Sequence, residues 1–389
     1  MPRIEATPTP ELLRWSREKA GYSEQAAAEK IGVAADRLSN WESGTERPTF
    51  AQLRSLGDIY KRPIAVFYLP EPPTRFEALK DFRRGHPSQL SMSPELALEI
   101  RRAYDRREWA IELLAELGEG APRLAGISLT LRSNMEQSAE VIRKALGARL
   151  DTQSTWRTDY DAFRNWRELV ENAGILTFQA TTLDVEEARG FSLPDAPFPV
   201  AVANIKDSPR GRLFTLLHEV VHIFLRQSGV CDLHEQGRAR SDMTESYCNR
   251  VAGAVLFPRE ALMASDTVRR HSKSDPAWTD EELATLSRRF GGSREAALVR
   301  LLTLGLTTQA YYQEKREEFF QKYLQAKKVS GGFAPPHIVA LASVGPRFAG
   351  LVVESFNREK ITASDVADYL QIRLKHLQEV QREYSSAVA

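Results

Sequence analysis

Apolar residues recur at helical spacing through the first part of the chain. Glu11 to Ala20 reads as an amphipathic helix, and Gly21-Tyr22-Ser23 as a turn whose Ser23 suits the N-cap of a second helix, Glu24 to Ile31. Gly32-Val33 breaks that helix. Ala35 to Glu42 is a third, ended by Ser43-Gly44, and Pro48 opens a fourth through Leu53, Leu56 and Ile59. Helix, tight glycine turn and helix make the helix-turn-helix arrangement. Glu71-Pro72-Pro73 is a linker. Residues 94 to 118 predict one long charged amphipathic helix, residues 119 to 135 are looser, and Ala139 to Leu146 and Asp159 to Ala173 are helical. The pattern then changes. Residues 174–178, 189–193 and 199–204 are short runs of strand length, and Asp207 to Gly211 turns the chain into another helix. Beyond Pro258 the spacing is helical again. Thr279 to Phe290 and Ser293 to Leu304 flank Gly291-Gly292, and Gln309 to Lys327 is long and charged. Ser330-Gly331-Gly332 is a break, and Pro346 to Phe356 and Ser364 to Ser385 close the chain.

The helix after the strands carries His218-Glu219-Val220-Val221-His222 within an apolar run from Leu213 to Leu225. Two His four apart lie on one face, one turn apart, which suits two ligands of a tetrahedral Zn²⁺. The Glu after the first His can reach a metal-bound water as general base. A surface helix with two solvated His would need polar flanks, and these flanks are apolar. Buried His need partners.

A catalytic zinc needs a third protein ligand and an open position. Met243 to Phe257 reads as a helix ended by Pro258, with Glu245 and Asn249 on one face. Glu245 can ligate the metal, and Asn249 can hydrogen-bond a ligating His. Asp232, Glu235 and Asp242 are weaker candidates, and Cys248 is a further one that the carboxylate three residues earlier makes less needed. Tyr247, His234 and Arg238 are candidates to stabilise an oxyanion. Two His and a carboxylate suit zinc best, and Mn²⁺ or Fe²⁺ also fit. A small sheet followed by such a helix is expected of zinc peptidases, and an edge strand there can bind substrate by strand addition.

The 389 residues suit two to four domains. With 53 Lys and Arg against 52 Asp and Glu, the net charge of +1 implies no polyanion partner for the chain as a whole. The two cysteines, Cys231 and Cys248, argue against a disulfide framework and make a reducing cytoplasm the expected setting. The N-terminus lacks the apolar stretch of a signal peptide, and no segment reads as long and apolar enough to span a membrane.

Gly190-Phe191 with Phe214-Thr215-Leu216, the His218–His222 core, and Glu245-Ser246-Tyr247-Cys248-Asn249 with Leu256-Phe257-Pro258 together resemble the ImmA/IrrE family of metallo-endopeptidases. The resemblance spans about residues 160 to 265. It implies that His218, His222 and Glu245 bind zinc and that Glu219 is catalytic. Ala252-Gly253-Ala254 departs from the Ala-Ala-Glu stretch of most members, which touches packing more than ligation. Residues 10 to 69 resemble an Xre/Cro-type helix-turn-helix through Ala28, Gly32-Val33, Leu38, Trp41-Glu42, Gly44 and Pro48. Asp81-Phe82-Arg83 and Gly345 to Leu370 are similar to long members carrying both modules.

The fold expected is mainly α, with a small α+β zincin-like metallopeptidase domain, a five-helix N-terminal helix-turn-helix and a helical C-terminal region. The expected divisions are 1–70 (helix-turn-helix), 71–150 (connector), 151–265 (peptidase) and 266–389 (helical). In such folds the third helix enters the major groove. That assigns Ala35, Asp36 and Asn40 to bases, with Asn40 able to read adenine, and Arg37 and Arg47 to phosphates. Glu24 and Asp36 depart from a good DNA binder, and residues 1 to 70 hold ten Lys and Arg against nine Asp and Glu.

Two functions follow as expectations. One is a DNA-binding regulator that cleaves an Xre-type repressor in a stress or mobile-element response, a reading in which a homodimer suits paired half-sites on operator DNA. The other is a non-proteolytic, autoregulating antitoxin that binds DNA and a ribonuclease toxin. Neither involves a membrane.

Overall fold

The computed structural model describes residues 5–73, 93–120, 124, 126–226, 229–231, 239–272, 275–327 and 335–388. It divides into two compact units, Met1–Tyr104 and Asp105–Ala389. The chain is mainly helical, as the spacing predicts.

The first unit holds α1 (Pro10–Lys19), α2 (Glu24–Ile31), α3 (Ala35–Ser43), α4 (Phe50–Tyr60) and a 3-10 turn, Ile64–Tyr68. The fifth helix of the expected set is thus a single tight turn. Local chemistry sets the boundaries. The Ser23 hydroxyl accepts from the Ala26 N–H at 3.1 Å, and Gly32 and Gly44 end α2 and α3 with φ of 75° and 81°, values that suit residues without a Cβ. Pro48 does not open α4, contrary to expectation. Its carbonyl accepts from Ala6 N–H at 2.9 Å in an extended segment, and a capping box between Thr49 and Gln52 starts the helix at Phe50. Leu13, Ala27, Leu38, Trp41, Leu53, Leu56 and Phe67 form the core. At its edge Arg17 donates to both oxygens of Glu42, at 2.7 and 2.9 Å, tying α1 to α3. The long helix Pro94–Glu116 contributes its first residues to this unit.

The second unit is built on a four-stranded sheet of order β1-β3-β2-β4. β1 (Leu176–Ala180) runs parallel to β3 (Val200–Asn204) with Leu176 opposite Val200, and β2 (Gly190–Leu193) runs antiparallel to β3 with Gly190 opposite Ala203. β4 (Gly229–Cys231) pairs antiparallel with β2 and was not expected, since three residues are too few to show a period. β1 begins two positions late because Gly174, at φ 92°, turns the chain out of the preceding helix, Asp159–Asn172. Every residue of β1, β2 and β3 is buried, which is why these strands read as continuous rather than alternating runs.

The His218 helix, Pro209–Leu225, starts at an N-cap in which Ser208 accepts from Gly211 N–H at 3.1 Å, with Pro209 in the first turn. It packs on β2 and β3 and against the helices Asp159–Asn172 and Ala239–Leu256. A Cβ at Gly190 would collide with the Val202 carbonyl and the Thr215 side chain, so glycine there permits the close approach of sheet and helix. Asn134 caps the helix Met135–Leu146, which starts earlier than its apolar spacing suggested and packs on Ala239–Leu256. A short helix, Leu150–Gln153, follows it.

The C-terminal elements differ most from expectation. One helical element, Pro336–Asn357, replaces the expected Pro346–Phe356 and is kinked at Gly345 (φ 81°, ψ 157°), just before Pro346. By length and composition this 22-residue element is apolar enough to cross a membrane, which corrects the expectation that no such segment exists. Here it is a packed helix, with most of its apolar stretch buried. Arg167 and Gln179 donate to the Ala342 carbonyl at 2.7 and 2.6 Å, and Phe348 meets Phe178 edge-on at 5.8 Å. The expected helix Ser364–Ser385 divides into Ala363–Leu370, a 3-10 turn Leu374–His376, and Leu377–Val388, with Gln371 left-handed at the first break. Ser330-Gly331-Gly332 lies outside the described residues, as does Asp81-Phe82-Arg83.

Candidate metal centre and helix-turn-helix surface

His218 and His222 leave the buried face of their helix one turn apart, each about 2% exposed, with Glu219 between them fully buried. Their Nε2 atoms lie 3.0 Å from each other. Glu245, from the second turn of Ala239–Leu256, places Oε2 3.0 Å from His218 Nε2 and Oε1 3.2 Å from His222 Nε2. Two nitrogens and a carboxylate thus face one point. Ligands of a tetrahedral zinc with bonds of about 2.0–2.1 Å stand at similar separations.

The tautomer can be assigned from the neighbours. Asn249 Oδ1 is 2.9 Å from His218 Nδ1. An amide oxygen only accepts, so Nδ1 carries the proton and the Nε2 lone pair points at the shared centre. Glu245 and Asn249 are one turn apart, so a single helix face supplies both the carboxylate and the group that orients the imidazole.

The charges around this point call for a cation. Burial alone would raise the Glu245 carboxyl, yet the His218 and His222 imidazoles hold it at about 2. Burial would lower His222, but Cys248, Glu245 and Glu219 together take it well above the usual imidazole range. A proton on His222 therefore balances the carboxylates when no metal is bound, and a divalent ion can take that place. The residues fit a metal on these grounds.

Cys248 enters the cluster as well. A donor atom from each of His218, His222 and Cys248 can be found within 4.8 Å of the others. Burial pushes the Cys248 thiol up, against the pull of His222, while the Glu245 carboxylate already contacts both imidazoles at Nε2. The geometry favours Glu245 as the third donor. Tyr247, considered for an oxyanion, is buried with its hydroxyl 2.9 Å from Ser138 Oγ. Asp232, His234, Glu235 and Arg238 lie outside the described residues, as does the side chain of Asp242. The approach of Ser138 was not legible in the sequence, because it comes from a helix more than a hundred residues upstream.

On the helix-turn-helix, Asp36, Arg37 and Arg47 are exposed and Ala35 and Asn40 half-buried. Glu46, which the sequence reading did not single out, engages two of the residues expected to contact DNA. It accepts from Asn40 Nδ2 at 3.1 Å and stands 3.8 Å from Arg37 Nε. Arg37 also sits over the Trp41 ring, 5.8 Å from its centroid.

Residues 170–302 match the family described as the IrrE N-terminal-like domain, and residues 11–66 match a helix-turn-helix domain. The search of curated proteins gave no match. The first match covers both His, Glu219, Glu245 and Asn249, and runs on through the helix Asp280–Phe290 into its partner Arg294–Thr303, ending at residue 302. The chain therefore carries a segment similar to a helix-turn-helix domain followed by one similar to the IrrE N-terminal-like domain.

Proposed function

We propose that this protein is a DNA-binding regulator whose second unit is a zinc-dependent endopeptidase acting on an Xre-type repressor. The observation that carries the reading is the convergence of His218 Nε2, His222 Nε2 and the Glu245 carboxylate at 3.0–3.2 Å. These three hold the metal, and Asn249 fixes the His218 tautomer. Bound zinc supplies a Lewis acid that polarises the scissile carbonyl and makes water acidic near neutral pH. Glu219, buried on the same helix, takes the proton from the attacking water and passes it to the leaving amine nitrogen. In the first unit, α3 enters the major groove with Ala35, Asp36 and Asn40 towards bases and Arg37 and Arg47 towards phosphates. The site of action is the cytoplasm, and a homodimer matches paired half-sites. The division at residues 70, 150 and 265 is the proposed functional layout.

The test uses the full zinc-loaded chain, wild type beside Glu219→Gln, incubated with a panel of Xre-type repressors and read by intact mass spectrometry. The wild type is expected to cut one repressor at a defined bond, and the variant to bind zinc without cutting. Equal cleavage by both would sink the assignment.

One observation favours a second reading. Glu46 holds Asn40 and Arg37 away from free use, as a helix-turn-helix kept for protein contact would allow. On that reading the first unit is kept for contact with a partner protein, as in an antitoxin that neutralises a ribonuclease toxin, and Glu219→Gln leaves neutralisation unchanged.

A further inference from the structure

A second cluster of metal-ligating side chains lies in the C-terminal part of the second unit, among elements that supply none of the residues placed at the His218 centre. His337 stands in the first turn of Pro336–Asn357, His376 ends the 3-10 turn Leu374–His376, and Glu379 lies in the first turn of Leu377–Val388. One donor atom from each can be found within 4.8 Å of the other two. All three residues are half-buried. The imidazole centroids are 6.3 Å apart with planes inclined at 36°.

The contacts within the cluster are unusual for a simple ion pair. His376 Nδ1 lies 3.3 Å from Glu379 Oε2, yet both atoms are buried and neither makes a hydrogen bond. Buried polar atoms are nearly always satisfied, and two that face each other without alignment imply a third partner. His337 brings a further nitrogen to the same place from a helix that is distant in sequence. A cation would satisfy all three donors at once.

We propose that His337, His376 and Glu379 form a second divalent metal site, of the zinc class, that clips the start of helix Pro336–Asn357 to the C-terminal 3-10 turn. Two imidazoles with one carboxylate select zinc, nickel or copper over magnesium or calcium, which prefer oxygen donors. Ligands on bonds of about 2.0–2.1 Å sit closer together than 4.8 Å, so binding draws the three donors inward. Three protein donors leave a coordination position for water. Half-burial and a single carboxylate make the ion exchangeable, so the clip responds to metal supply. The helix it fastens covers β1, so its occupancy is felt in the stability of the second unit.

The experiment titrates zinc alone into the chelator-stripped full chain and counts bound metal by mass spectrometry after gel filtration. The wild type is expected to hold two zinc ions, and His376→Ala one. A His218→Ala/His222→Ala chain is expected to hold one, and a chain carrying all three substitutions none. The double variant isolates the clip from the peptidase centre, so failure of one site is distinguishable from failure of the other. Glu379→Gln, at a more exposed position, replaces His376→Ala if that variant misfolds. A bound-zinc count that is the same with and without the substitution at His376 or Glu379 overturns the proposal.

Discussion

Asn249 Oδ1 stands 2.9 Å from Nδ1 of His218, reaching across from the helix that also bears Glu245. This contact sets the proton on Nδ1 and leaves Nε2 free to bind metal. Asn249→Ala is expected to weaken zinc affinity by about 10–100-fold, the usual effect of losing a group that orients a ligating His. A competition titration against a chromophoric chelator measures it. Unchanged affinity would mean that packing alone orients the imidazole.

The choice of third ligand is open to a direct comparison. Glu245→Gln is expected to lose zinc stoichiometry, while Cys248→Ser keeps it, because the carboxylate contacts both imidazoles at Nε2. The reverse pattern would assign a His-His-Cys donor set.

Glu42, buried on α3, holds Arg17 of α1 through two hydrogen bonds. Glu42→Leu alone removes the buried acceptor of two Arg17 hydrogen bonds and leaves the guanidinium to the Tyr22 carbonyl and the more exposed Glu24 and Glu18, and is expected to destabilise the first unit by about 1–3 kcal/mol. Replacing both members, with Arg17→Met added, is expected to restore most of that loss. Urea unfolding of the full chain, following the transition of this unit, reads both effects.

Glu46 is a brake on DNA binding if α3 meets the major groove. Glu46→Ala frees Asn40 and Arg37 and removes a negative charge. Duplex affinity is expected to rise, and the dependence of log affinity on log salt to steepen by about one phosphate contact, a slope change of roughly 0.9. Fluorescence anisotropy at several salt concentrations checks this, and an unchanged slope would favour a surface used for protein contact.

His271 faces two acceptors, Glu282 Oε1 at Nδ1 and the Asp275 carbonyl at Nε2, each at 2.9 Å, so the protonated imidazole donates to both, and it stacks on Trp278 at 3.7 Å. Burial lowers the imidazole, but Glu282 and Asp275 outweigh it and raise it above 6.5. Burial raises Glu282, and His271 with Thr279 draws it below 4.5. The raised His contributes fully below 6.5 and loses its contribution as pH climbs through the folded value. The depressed Glu contributes above 4.5 and loses it as pH falls through its own folded value. The melting-temperature gap between wild type and His271→Ala is therefore expected to be widest between about pH 4.5 and 6.5 and to shrink on either side. A gap that does not change with pH would reduce the pair to packing.

Local chemistry made much of this protein legible in its sequence. Ser23, Gly32, Gly44 and Gly291 mark helix ends at the positions where the structure has them, because caps and left-handed turns depend on a few adjacent residues. His218, Glu219 and His222 share one helix face by the 3.6-residue period alone, and the same period joins Glu245 to Asn249. The sequence could not show what depends on distant segments meeting. Which of Glu245 and Cys248 stands nearer both imidazoles, that Glu46 occupies Asn40, and that Ser138 takes the Tyr247 hydroxyl are decided by tertiary contacts. So is the meeting of His337 with His376 and Glu379. Gly345 and Pro346 illustrate the division. Their sequence announced a break, but only packing against β1 decided that helix continues on both sides of it, since Arg167 and Gln179 satisfy the Ala342 carbonyl next to the kink. Periodicity and caps are properties of neighbours along the chain. Donor sets, ion pairs and the burial of an apolar helix depend on which neighbours the fold brings together.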